Sequence, residues 1–153
     1  MSSTHNKASK PNPGLKAFEV LVGEWKTTGT HGQMPGVTLE GHASFKWIEG
    51  GAFLRMQAEI ANEKFPNGIA IIGTDDALGT CFMLYFDERE VSRKNDVLFE
   101  NNVLKWWRNA PGFSQRYSFT FSEDFNTIIS KGELAKDDKT WEKDLDLTYT
   151  RIG

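Results

Sequence analysis

The chain has 153 residues, a net charge of −3, 39% hydrophobic residues and one cysteine. That is one domain's length; a lone Cys excludes an internal disulfide and a multi-cysteine zinc site. The acidic balance argues against a nucleic-acid partner, because phosphate binding is driven by clustered Lys and Arg, and the nearest basic stretch, Arg89 to Lys94, is interrupted by Glu90 and Val91.

Residues 1–12 carry no apolar stretch of the secretory-signal type and are expected to form a disordered tail ahead of a single domain over 13–153. No apolar run approaches the ~20 residues of a membrane helix, so no membrane partner and a cytoplasmic location are expected. Asn12-Pro13-Gly14 opens the ordered part. Leu15, Phe18, Leu21 and Val22 recur at three- and four-residue spacing and predict one short helix, stopped by Gly23. From Trp25 onward the period becomes two.

Leu39, Gly41, Ala43, Phe45 and Trp47 alternate with Glu40, His42, Ser44 and Lys46, a half-buried strand. Glu49-Gly50-Gly51 turns the chain, since paired glycines supply positive φ. Leu54, Met56, Ala58 and Ile60 then alternate with Arg55, Gln57 and Glu59. Further strands are predicted near 69–75, 80–87, 91–99 and 102–108, with turns at Asp76 to Gly79, Asp87 to Glu90 and Asn101-Asn102. Phe113, Gln115, Tyr117, Phe119 and Phe121 form the next inward face. A strand with Ile128 and Leu134 follows. Asp137-Asp138-Lys139 makes the last hairpin, before a strand with Trp141, Leu145, Leu147 and Tyr149.

About ten strands joined by turns too short for crossover helices must be antiparallel neighbours, and closing them removes the exposed edges. The predicted fold class is all-β: an up-and-down antiparallel β-barrel of about ten strands with one short N-terminal helix. A two-sheet sandwich is the competitor. A barrel is open at its ends, and Trp25, beside the first strand, is a ring wide enough to seal one.

The short helix, then Gly23-Glu24-Trp25, then antiparallel strands, resembles the Gly-x-Trp entry of lipocalins and other calycins. That resemblance implies that Trp25 lies across the barrel base and that Arg151, in Tyr149-Thr150-Arg151, packs on it as a structural plug. Trp47 to Leu54, Phe113 to Arg116, Thr140 to Asp144 and Tyr149 to Arg151 together look like a bacterial lipocalin-like family, one of the domains of unknown function. This family is a distant relative of nitrobindins and fatty-acid-binding proteins. The similarity covers roughly residues 15 to 151.

On parity, the interior face holds Phe45, Trp47, Leu54, Met56, Phe82, Leu84, Leu104, Trp106, Phe113, Tyr117, Phe119, Trp141 and Leu147. Gln115, Lys143, Tyr149 and the Tyr117 hydroxyl are its polar groups. The candidate ligand-binding residues are Phe45, Trp47, Met56, Trp106, Gln115, Tyr117, Trp141, Lys143 and Tyr149. Apolar walls with a few polar anchors suit a small-molecule site. The expected function is therefore non-catalytic binding of a small hydrophobic or amphipathic molecule. The loop from His31 to Gly36 reads as a lid or as an ordinary connection.

Two alternatives stand beside it. Nitrobindin-like barrels bind haem, and that resemblance implies an axial His late in the chain; this sequence has His5, His31 and His42 and none beyond. A barrel filled by its own side chains would act through its surface, as an interaction module or a homodimer. No cofactor, metal or catalytic residue is expected. Asp75-Asp76 and Asp137-Asp138 are adjacent acids that point apart and make no acid–base pair. Cys81 reads as an inert strand thiol. No phosphate loop, Gly-x-Ser-x-Gly elbow or His-Glu-x-x-His occurs.

Overall fold

The computed structural model describes residues 11–153; the expected tail over 1–12 lies outside them except for Pro11 and Asn12. Asn12 is already part of the fold. Its N–H donates to the Gly51 carbonyl at 2.8 Å, and its side chain accepts from Gly14 N–H at 2.9 Å, capping the helix that follows.

That helix, Pro13–Leu21, is a 3-10 helix. With three residues per turn, side chains three apart eclipse one another. Leu15, Phe18 and Leu21 therefore share one face, and all three are buried. Pro13 suits its first position, where the missing N–H costs no bond.

Eleven strands follow: β1 (Gly23–His31), β2 (Leu39–Ile48), β3 (Phe53–Ile60), β4 (Gly68–Asp75), β5 (Thr80–Asp87), β6 (Val91–Glu100), β7 (Val103–Arg108), β8 (Ser114–Phe121), β9 (Thr127–Ala135), β10 (Glu142–Lys143) and β11 (Leu145–Arg151). Each pairs antiparallel with its neighbour in the chain through β9, which pairs with both β10 and β11; β11 then pairs with β1. The result is a closed barrel of ten strands, with β10 a two-residue extension on β9. Closure leaves almost no free strand edge. Asn101 and Asn102, both at positive φ (54° and 61°), make the tight β6–β7 reversal that such angles allow. Among the described residues, no helix is long and apolar enough to cross a membrane.

The helix and the β2–β3, β4–β5, β6–β7 and β8–β9 turns lie at one end, the base. There the interior is solid: Leu15, Phe18, Leu21, Trp25, Phe45, Leu54, Ile72, Leu104 and Ile128 are each 3% exposed or less, and Phe18 meets Phe99 edge-to-face with centroids 5.6 Å apart. Trp25 is fully buried, its Nε1–H donating to the Leu21 carbonyl at 2.8 Å. The Arg151 guanidinium lies 4.2 Å from the Trp25 ring centre. It also donates to the carbonyls of Val20 (2.6 Å), Val22 (2.7 Å) and Phe125 (3.0 Å) and to the Asn126 side chain (3.0 Å). Carbonyls at a helix end have no intrahelical donor; here one arginine serves two of them and joins helix, β8–β9 turn and last strand. Gly23 makes room for it. Its φ is +135°, and a Cβ there would stand 2.8 Å from Arg151 Nη1 and 2.6 Å from the Gly153 carbonyl oxygen.

Parity misplaces several side chains. Phe82 and Leu84 point outward, while Cys81, Met83 and Tyr85 face the interior: β5 is apolar on both faces, so alternation does not mark its inner side, and its pairing of Met83 with buried Ile72 and Tyr85 with buried Ala70 decides it. Cys81 is half-buried against the Gly14 carbonyl (3.7 Å), and burial pushes its thiol pKa up. Trp141 and Lys143 also lie outside. Trp141 stacks on the Arg116 guanidinium at 3.8 Å, and Arg116 is paired with Glu133 at 2.9 Å. Lys143 donates from Nζ to Thr30 at 2.6 Å and stands 3.8 Å from Asp146.

The reason is one extra residue. Glu142 and Lys143 pair with Leu134 and Glu133, whereas Leu147 and Thr148 pair with Ser130 and Ile129. From Lys143 to Leu147 the chain advances four residues while β9 advances three, which is a β-bulge. Sides exchange across it, so residues before the bulge lose the parity that holds after it.

Candidate functional site

Away from the base the interior opens into a cavity of about 660 Å³. Its walls include Met56, Met83, Trp106, Phe119, Leu147 and Tyr149, and Met34, Phe65 and Pro66 of the β1–β2 and β3–β4 connections stand at the mouth. Trp106 packs on Phe119 at 4.2 Å and on Tyr117 at 5.9 Å between centroids, forming an aromatic wall.

The bulge turns Asp144 into this space, where it is 5% exposed. Its Oδ2 accepts from Gln115 Nε2 at 2.9 Å and from the Tyr117 hydroxyl at 2.8 Å; its Oδ1 is 2.9 Å from His31 Nε2. The Gln33 backbone N–H donates to His31 Nδ1 at 3.0 Å, which leaves Nε2 as the nitrogen that donates to Asp144. A buried carboxylate is tolerated when hydrogen bonds replace its hydration. Asp144 has three such donors, from β1 and β8, and its own backbone is anchored as well: its N–H donates to the Gly132 carbonyl and its C=O accepts from Gly32 N–H, both at 2.9 Å. Glycine at 132 is needed because a Cβ there would run into the Tyr117 ring.

Gln115 extends the network. With its Nε2 committed to Asp144, its Oε1 accepts from Arg93 Nη1 at 3.1 Å. The Arg93 guanidinium also lies 5.2 Å from the Phe113 ring centre. Nearby, the Tyr85 hydroxyl donates to Asp87 Oδ2 at 2.8 Å, and Arg89 is paired with the same oxygen at 2.7 Å.

All three tyrosines face this interior, and each phenol is harder to ionise than usual. Burial is the main cause for Tyr85, Tyr117 and Tyr149; Asp144 adds to it at Tyr117, and Asp87 at Tyr85. The unfolded chain ionises its tyrosines near pH 10.0 while the folded chain keeps them protonated. Their contribution is therefore whole below that pH and is lost above it. Tyr117 and Tyr149 together should steepen the alkaline loss by about 3 kcal/mol per pH unit, with a smaller share from the more solvated Tyr85. Denaturant titrations across that range should show stability falling, and tyrosinate absorbance should appear with unfolding rather than before it.

Of the residues expected to form the site, the structure brings together Met56, Trp106, Gln115, Tyr117 and Tyr149 around the cavity. Phe45 and Trp47 belong instead to the base, where β2 runs down to the Glu49–Gly51 turn. Trp141 and Lys143 are outside, for the reason given by the bulge. Asp144, Arg93, Asn95 and Tyr85 were missed. Asp144 sits on the outward parity of its strand, and Arg93 and Asn95 lie in a segment that reads as charged and surface-like. The one signal available was His31, at the end of β1 beside the flexible-looking loop. Its two ring nitrogens are both engaged, and His42 stands on the outward face, 3.5 Å from Glu24. Neither imidazole, as arranged, offers a lone pair to a haem iron inside the barrel, so the residues do not fit an axial-ligand role.

No protein-family model matches the chain, and no curated protein matches it in sequence. Among solved structures it is similar to the crystal structure of Rv2717c from M. tuberculosis, with a TM-score of 0.68, over 94% of this chain and 100% of that chain, at 10% identity. The likeness is one of fold. The chain thus shares its fold with a protein of nearly unrelated sequence.

Proposed function

We propose that the protein is a lipocalin-like, calycin-type barrel that binds one small amphipathic molecule without catalysis. The observation that carries this is the cavity of about 660 Å³, apolar along Met56, Met83 and Phe119 and polar at Arg93, Gln115 and Asp144. A volume of that size lies within the usual range of small-ligand sites. The competing reading, a barrel acting only through its surface, calls for a filled interior.

The polar groups bind rather than react. The Asp144 oxygens are engaged by three donors, both His31 nitrogens are occupied, and the Tyr117 phenol is held protonated. Among the described residues no free base faces a nucleophile, which favours a container over a catalyst. Mass spectrometry of the purified protein, first native and then denatured, should release a small molecule carried from the cell in about one copy per chain. Protein that carries nothing, and whose Trp fluorescence is unmoved by a panel of amphiphiles, would count against the container. A Soret band in the purified protein would favour haem.

A further inference from the structure

We propose that His31 is a pH latch: protonation of its ring frees the β1–β2 connection at the cavity mouth and leaves the Asp144 network in place. The latch stands on the geometry of one imidazole, and its use as a gate rests on the reading of the barrel as a container.

His31 ends β1, and its side chain is 13% exposed. Its two ring nitrogens hold different parts of the molecule. Nε2 lies 2.9 Å from Asp144 Oδ1, while Nδ1 accepts from the Gln33 N–H at 3.0 Å, inside the connection itself. Neutral imidazole has one N–H and one lone pair. The carboxylate takes the N–H, so the lone pair is what holds the loop. The same turn is closed by Met34 N–H, donating to the His31 carbonyl at 3.0 Å, and by Val37 N–H, donating to the Met34 carbonyl at 3.2 Å. Gln33 and Met34 line the cavity, as do Phe65 and Pro66 of the β3–β4 connection. The His31 ring packs against Phe65 with centroids 5.3 Å apart, so it joins both connections at the mouth.

A second proton acts on the two nitrogens in opposite senses. At Nε2 the partner of the carboxylate becomes an imidazolium, and the bond is charge-assisted on both sides. At Nδ1 the lone pair gives way to an N–H that meets the Gln33 N–H, donor against donor, and the bond is lost. Phe65 does not resist, since a ring face attracts a cation. The imidazole therefore stays on Asp144, and the loop is what lets go. Histidine ordinarily titrates between about pH 5 and 8. The loop bond is whole while the ring is neutral and is lost as the pH falls through the titration of His31.

The other charged groups around the ring are engaged elsewhere. Gln115 and Tyr117, on β8, donate to the second Asp144 oxygen, and Arg93 of β6 meets Gln115 rather than the ring. Lys143 of β10 donates outward to Thr30 and stands near Asp146. Arg89 is paired with Asp87, while Glu59 and Lys64 are exposed at the rim. From β11, apolar Leu145 is the residue opposite His31. Among the described residues, Asp144 alone is within ion-pair distance of His31. The Gly32 N–H donates to the Asp144 carbonyl at 2.9 Å and has no bond to the ring, so it marks where the opening stops.

The test is nuclear magnetic resonance of the wild type and of His31→Gln from about pH 5 to about pH 8, following the His31 ring nitrogens and amide exchange together. Exchange is read as a protection factor, which removes the intrinsic pH dependence of the reaction. As the ring protonates, protection of the Gln33 N–H should fall about five- to tenfold, the scale of one hydrogen bond. Met34 should follow, and Gly32 should keep its protection. In His31→Gln the Gln33 protection should not change with pH. Entry of Nile red, uncharged across this range, is then timed by stopped-flow fluorescence. It should be faster in the wild type below the His31 titration than above it, and pH-independent in His31→Gln. Gln33 protection that stays flat through the titration, or a neutral ring with its proton on Nδ1, would overturn the latch in the wild type alone. So would loss of Gly32 protection in step with Gln33, which would mean that the network itself comes apart. A pH step that survives in His31→Gln would overturn it by assigning the step to another group. A loop that opens while Nile red enters at one rate would overturn the gate. Nile red excluded at every pH, with the amide steps as expected, would bring down the container reading and support the latch.

Discussion

Trp25→Ala should lower stability by about 3–5 kcal/mol, the usual cost of removing a large buried aromatic side chain. For a domain of this size that is a fall of roughly 6–20 °C in melting temperature. The effect is large because three attachments are lost at one place. The ring is fully buried, its Nε1–H holds the Leu21 carbonyl at the end of the 3-10 helix, and its face carries the Arg151 guanidinium. A cation over a ring contributes ~1–2 kcal/mol when shielded from water. Without the ring, Arg151 keeps its carbonyl partners but loses the surface that positions it. Trp25→Phe should fall between the two, keeping most of the packing and losing the hydrogen bond. Thermal unfolding followed by circular dichroism measures all three proteins. If Trp25→Ala melted like the wild type but no longer bound ligand, Trp25 would be a binding residue and not a plug.

The second large effect is expected at Asp144. Asp144→Ala removes the common acceptor of His31, Gln115 and Tyr117 in a site that is 5% exposed. Each donor left without a partner costs about 1–3 kcal/mol when buried. Cavity water can reach some of them, so a total of about 2–4 kcal/mol is expected. Tyr117 should also become easier to ionise, because Asp144 is one cause of its raised pKa, and a spectrophotometric titration reads that change apart from stability. Burial remains the larger cause, so the phenol should stay above its ordinary value. With Gln115 released, Arg93 loses the oxygen that holds it. Asp144→Asn should not rescue the site, since its amide N–H₂ would face groups that are themselves donors. A variant matching the wild type in stability and in the Tyr117 titration would show that the network carries no weight.

Much of the fold can be read along the chain, and the reasons are local. Alternation in β2, β3 and β8 reports a strand with one wet face, and short polar turns force neighbours to be antiparallel. The spacing of Leu15, Phe18 and Leu21 identifies a helix but not its type; a strict spacing of three suits the 3-10 form found here. The interior site is less legible. Period two assigns a face only where the two faces differ, and in β5 they do not. It also assumes an unbroken register, and the bulge before Leu145 breaks it. A one-residue offset is invisible to alternation in so short a segment as Trp141 to Asp144, yet it sends Asp144 inward and Trp141 and Lys143 out. Arg93 and Asn95 were hidden for another reason: a polar residue facing a cavity looks, in sequence, like one facing solvent.

The barrel is packed solid at one end and hollow at the other, and the two ends are held by different residues. The Trp25–Arg151 seal and the apolar floor around Leu54 and Ile72 belong to the closed end, whereas Arg93, Asn95 and Gln115 line the open one. The closed end works as a chassis and the open end as an exchangeable fitting. On the proposed container reading, substitutions at the open end change what the cavity accepts and leave the closed end bolted.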